Sequence, residues 1–131
     1  MCDLIYREGI LRTKPGEINS AVDAILEDEE LSAEFSGQDF YSIMMDVGFY
    51  AIDRKEKGLE LRYHAYPEDT FFALEKLLKK IAEYIVSGCY LEFADKKGNL
   101  CRYVFDGKIM RKVEPTIIWS YGTINADTIA V

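Results

Sequence analysis

The chain has 131 residues, of which 49% are hydrophobic and 30% charged, with 3 prolines and a formal net charge of −7. That length is the usual size of one domain, and the balance of apolar and charged residues excludes a disordered or collagen-like chain. No apolar run approaches the roughly 20 residues that span a bilayer, and the basic patch expected of a direct nucleic-acid binder is absent.

Asp3–Thr13 reads as extended, with Leu4, Ile5, Tyr6, Ile10 and Leu11 as strand formers and Gly9 as a bend. Its first residues, MCDLIYREG, lack a basic stretch followed by an apolar one, so a cytoplasmic protein is expected. Pro15 and Gly16 precede a helix from Glu17 to about Asp28, where Ile18, Ala21, Val22, Ile25 and Leu26 share one arc. Phe40–Met45 is rich in strand formers and is expected to be a strand, followed by a turn at Val47-Gly48 and a strand at Phe49–Asp53. After a polar loop at Lys55–Gly58, Leu59, Leu61, Tyr63 and Ala65 alternate with Glu60, Arg62, His64 and Tyr66, the pattern of a half-buried strand.

Pro67-Glu68-Asp69-Thr70 starts a second helix, whose apolar face runs from Phe71 through Leu74, Leu77, Leu78 and Ile81 to Ile85. Gly88 supplies the stop. Three strands follow, Cys89–Ala94, Leu100–Phe105 and Lys108–Val113, the last two joined by an Asp106-Gly107 hairpin turn. Thr116–Tyr121 is expected to add one more strand, and the tail from Gly122 is weakly patterned. The whole is expected to be a single α+β domain: an antiparallel sheet of about six to eight strands in meanders, with two helices packed on one side. Residues 14–66 and 67–121 share a helix-then-meander order, and Glu34-Phe35 matches Glu92-Phe93, which leaves two readings: a duplicated α-β-β-β unit, or chance similarity between two amphipathic helix-plus-meander units.

No catalytic constellation stands out. The single histidine, His64, lies on the polar side of its strand, and no G-x-S-x-G, G-x-x-x-x-G-K-[ST] or G-x-G-x-x-G occurs. Cys2, Cys89 and Cys101 have neither a disulfide-framework nor a zinc spacing, and Glu27-Asp28-Glu29-Glu30 lacks the alternation and central glycine of a calcium loop. Neither an enzyme nor a metal or cofactor is expected.

Charge is distributed unevenly. Residues 1–66 hold 14 acids and 7 bases, residues 67–131 hold 9 of each, and Pro15–Asp53 holds 10 acids and no Lys or Arg. Asp23 and Glu27 sit at i,i+4 as like charges, and Asp28, Glu29 and Glu30 fall where the first helix is expected to end, against its dipole. Lys76, Lys79 and Lys80 of the second helix are the internal cations that would neutralise them if the helices pack side by side. Broken local rules mark functional sites or hidden compensation. The leading expectation is therefore a non-enzymatic binding protein of the inhibitor, immunity or regulatory kind. It would dock Asp23, Glu27, Asp28, Glu29 and Glu30 on a basic protein partner, with Phe72, on the polar arc of the second helix, as a contact to that partner or to a second copy. The alternative is a small-ligand-binding module. The chain carries 17 aromatic residues (7 Phe, 9 Tyr, 1 Trp), and Trp119, Tyr63 and His64 would line a pocket between sheet and helices.

Overall fold

The computed structural model describes residues 4–64 and 71–118. The α+β class and antiparallel pairing hold, with the strands divided between two sheets and four α-helices in the described residues. The first extended segment is two strands, β1 (Ile5–Glu8) and β2 (Ile10–Arg12), bent at Gly9. Three helices follow: α1 (Ile18–Leu26), α2 (Glu29–Phe35) and α3 (Phe40–Asp46). A hairpin, β3 (Phe49–Asp53) and β4 (Leu59–Tyr63), leads to α4 (Phe71–Ile81) and a short 3-10 turn. The meander β5 (Tyr90–Ala94), β6 (Leu100–Phe105) and β7 (Met110–Val113) completes the described fold.

One sheet has the order β1-β5-β6-β7 and the other β2-β4-β3. They are joined through the bent segment. Leu11 pairs with Leu61 on one side of it, while the Val86 N–H donates to the Arg12 carbonyl on the other. Gly9 makes the bend. Its φ is +113°, and a Cβ there would lie 2.1 Å from the Tyr90 carbonyl oxygen, so no side chain fits. The inner faces of both sheets meet at an aromatic cluster. Tyr63 packs against Tyr6, Phe49 and Phe93 with centroids 5.1–5.6 Å apart, and Phe93 packs against Tyr103 at 5.6 Å. Helices α1 and α4 pack against each other, and Ala21, Ile25, Leu74, Leu77, Leu78 and Ile81 join the same buried core.

The structure corrects the strand expected at Phe40–Met45, which is α3. The Asp39 carboxylate accepts the Ser42 N–H at 2.8 Å and caps the helix. Phe40, Ile43, Met44 and Val47 are buried while Tyr41, Ser42, Met45 and Asp46 are exposed, a period of 3.6 and not 2. Side-chain burial at i, i+3, i+4 and i+7 outweighs the β preference of the individual residues. Consequently the proposed halves differ in element order, and Glu34-Phe35 is helical where Glu92-Phe93 is extended. The strand expected at Thr116–Tyr121 is also absent over its described part. Pairing with β6 ends at Val113, Pro115 has no N–H for a ladder, and Thr116, Ile117 and Ile118 are exposed without strand structure. Residues 119–121 of that stretch lie outside the described residues.

Candidate functional site

The acidic window maps onto the helical layer. Helix α1 ends at Leu26, two residues before the expected boundary, and Asp28 adopts an extended conformation (φ −86°, ψ 127°). Its carboxylate accepts the Leu31 N–H at 3.0 Å, so Asp28 is the N-cap of α2, with Glu29 and Glu30 in that helix's first turn. Three acids expected at an unfavourable C-terminus thus lie at a favourable N-terminus. The Leu31 N–H, with help from Lys76, holds the Asp28 carboxyl below its ordinary range. Lys76 of α4 bridges Asp28 at 3.4 Å and also pairs with Glu30. Lys79 pairs with Glu75 in its own helix.

Asp23 and Glu27 are different. Both are exposed, and neither has an ion pair among the described residues. Together with Glu17 and Glu83 they act on one group, the half-buried Tyr84 hydroxyl. Burial and then the charges of Glu83, Glu27, Glu17 and Asp23 push that phenol up from its ordinary value. Three of these acids belong to α1 and its flanking residues and one to the turn after α4. Glu29 is exposed and Phe72 belongs to α4, its side chain outside the described residues. A cleft of about 320 Å³ between α1 and α3 is lined by Ile18, Val22, Asp23, Asp39, Phe40 and Tyr41.

Of the residues of the ligand-pocket alternative, Tyr63 and His64 have different surroundings. Tyr63 points into the core at 8% exposure. His64, the next residue, is exposed and packs edge-on against Tyr50 at 5.3 Å. Trp119 lies outside the described residues.

The opposite side of the molecule carries a pattern that single-strand reasoning missed. Directly paired residues of antiparallel strands share a face, which places Arg12, Glu60 and Ile52 on one outer surface with Ile10, Arg62 and Tyr50. In the other sheet the same rule puts Glu92 with Arg102 and Glu8, and Tyr90 with Val104 and Arg111. Arg7 and Arg54 reach this face through their bonds, so all six arginines of the chain belong to it. Glu60 is buried at 4% exposure and takes the Nε of Arg54 at 3.1 Å on one oxygen and the Nε of Arg62 on the other. Glu92, at 7%, takes Arg102 at 2.7 Å and Arg7 at 3.1 Å in the same way. The hydrogen bonds from Arg54 and Arg62 hold the Glu60 carboxyl below its ordinary value, and those from Arg102 and Arg7 do the same for Glu92. Alternation alone placed Glu60, Arg62 and His64 on one side of β4. The convergence on Glu92 needed the β1–β5 pairing, between residues 85 positions apart.

Among the described residues no group of three or more His, Cys, Asp or Glu is placed to hold a metal ion. No described helix is long and apolar enough to cross a membrane. Burial pushes the thiols of Cys89 and Cys101 above their ordinary value, which disfavours the reactive thiolate. No family model matches the chain, and neither does any curated protein or solved structure.

Proposed function

We propose that the protein is a non-enzymatic binding protein that docks the acidic patch of α1 on a basic protein partner. The supporting observation is the acidic α1 segment, Glu17, Asp23 and Glu27 with no base from Pro15 to Asp53, whose charges together with Glu83 raise the Tyr84 phenol. Asp23 and Glu27 repel each other at i,i+4, and neither has an ion pair among the described residues to offset it. A complementary cationic surface would relieve that repulsion, steer encounter at low salt and exclude anionic competitors. Asp28 and Glu30 already serve α2 and Lys76, so the docking role falls first to Asp23 and Glu27, with the exposed Glu29 of α2 beside them in sequence.

The test is affinity capture at low and high salt with the wild type and the double variant Asp23→Lys/Glu27→Lys. The expected result is a basic protein retained by the wild type, weakened by salt, and reduced about ten-fold or more by the charge reversal. Equal capture by a variant whose circular dichroism matches the wild type would reject the reading, as would the absence of any charge-dependent partner.

A further inference from the structure

Strand β7 is a sheet edge. Among the described residues it pairs with β6 and with no other strand, which leaves one side of its backbone open. The direction of those open groups follows from the neighbouring strands. The Phe105 N–H donates to the Cys89 carbonyl and the Phe105 carbonyl accepts the Gly88 N–H, so the backbone of Phe105 faces β5. Its pair with Met110 is therefore the kind without hydrogen bonds. By alternation Arg111 and Val113 bond to β6, whereas the N–H and C=O groups of Met110 and Lys112 point away from it. The opposite edge of the same sheet, β1, is blunted by an irregularity between Tyr6 and Glu8, and the β6–β7 register has none.

The chain along this edge is apolar where it is exposed. Of the eight large apolar residues exposed among the described residues, four fall between positions 109 and 118: Ile109, Val113, Ile117 at 80% and Ile118 at 82%. Thr116, Ile117 and Ile118 are β-branched strand formers, and Glu114, placed before a proline, is biased to the extended region. No strand forms over residues 114–118 all the same, because β6 ends its pairing at Val113. What the segment lacks is a strand to pair with.

The edge is complementary to itself. In antiparallel pairing of two copies about a two-fold axis, the residue on the axis meets its own counterpart. Axes on Arg111, Lys112 or Glu114 would oppose like charges there, which destabilises a pair of strands. Val113 alone of these four avoids it. With Val113 on the axis, Lys112 meets Glu114 of the second copy, and Glu114 meets Lys112 of that copy. Neither residue has an ion pair among the described residues. In the same register Ile109 meets Ile117 of the second copy, so two exposed apolar residues cover each other. Pro115 meets Arg111, at an odd-numbered position whose backbone faces away from the new pairing, so its missing N–H costs nothing.

We propose that a second copy of this chain docks on β7, antiparallel about a two-fold axis at Val113, with residues 114–117 of each copy completing the other's edge. Main-chain bonds supply the attachment, and the Lys112–Glu114 and Ile109–Ile117 pairs set the register. The surface uses none of Asp23, Glu27 and Glu29, so it stands or falls independently of the acidic patch.

Sedimentation velocity on the full chain over a concentration series reads the assembly. A species of twice the chain mass that grows with concentration is expected, and a monomer at every concentration up to about 1 mM would overturn the proposal. Lys112→Glu and Glu114→Lys should each weaken the dimer about ten-fold, since each opposes like charges at two symmetric places. The double variant carrying both changes should recover it, and a dimer that the double variant does not recover would overturn the pairing. Val113→Lys, which sets two cations face to face, should leave monomer with an unchanged circular dichroism spectrum. Ile5→Lys, on the far edge of the sheet, should leave the dimer intact; a dimer lost in Ile5→Lys and kept in Val113→Lys would equally overturn it. Hydrogen exchange needs no variant. The amides of Met110, Lys112, Glu114 and Thr116 should slow as concentration rises, while those of Arg111 and Val113, already bonded to β6, should change little. Exchange at those four amides that ignores concentration while the dimer forms would place the contact elsewhere and reject the proposal.

Discussion

Replacing Asp39 with Ala tests the reading of α3. The Asp39 carboxylate accepts the Ser42 N–H at 2.8 Å, and its residue is exposed, so the change removes one cap and leaves the core untouched. Loss of an N-cap of this kind costs about 1 kcal/mol, within a range of roughly 0.5–2. Helix α3 has seven residues, too short to persist without its cap and its buried face of Phe40, Ile43 and Met44. For a domain of this size, with a urea slope of about 1.5–2 kcal/mol per molar, 1 kcal/mol moves the unfolding midpoint by about 0.5–0.7 M. The same loss lowers the melting temperature by about 3–6 °C. Urea titrations followed by far-ultraviolet circular dichroism measure it, with Asp39→Asn as the control that keeps an acceptor. A midpoint unchanged within about 0.1 M of urea would refute the capped helix. So would an Asn variant as unstable as the Ala variant.

Two further outcomes follow from the sheets. Gly9→Ala should unfold the domain or lower its stability by about 3 kcal/mol or more, because the new methyl meets the Tyr90 carbonyl and the backbone must hold a positive φ; thermal melts that match the wild type would contradict the bend. Glu60 and Glu92 have native-state pKa values below the ordinary 4.5, so each contributes stability that is complete above that value and is lost as the pH falls through and below it. Stability measured from pH 7 to pH 2 should accordingly fall at the acid end, and the fall should be shallower in Glu60→Gln; an equally steep acid limb in that variant would exclude Glu60 as a contributor.

Sequence periodicity found what depends on near neighbours. The helix arcs of Ile18–Leu26 and Phe71–Ile81, the alternation of β4 and the Asp106-Gly107 turn all carry their signal within a few residues. Helix α3 was misread because Phe, Tyr, Ile and Met are acceptable to a strand, and the deciding spacing appears only when Asp39 is seen as a cap. The break between α1 and α2 was hidden for a related reason: Asp28 reads as one more acid in a run, and only its backbone shows that it starts a helix. The division into two sheets rests on contacts of Gly9 with Tyr90, far along the chain. The arginine face was out of reach for the same reason. No local pattern says that Arg7 and Arg102 will share a carboxylate with each other.

The bent first segment has a consequence for how the chain acquires its shape. Ile5 finds its partner at Ala94 and Leu11 at Leu61, so both strands of this segment are completed only by strands far along the chain. During synthesis it must wait until β4 and then β5 have appeared, and pairings of such wide sequence separation are slow to close. Once closed, the segment acts as a seam. Both sheets contribute to one buried core, and among the described residues no named strand of one sheet pairs with a named strand of the other, so the segment is the covalent and packed link between them.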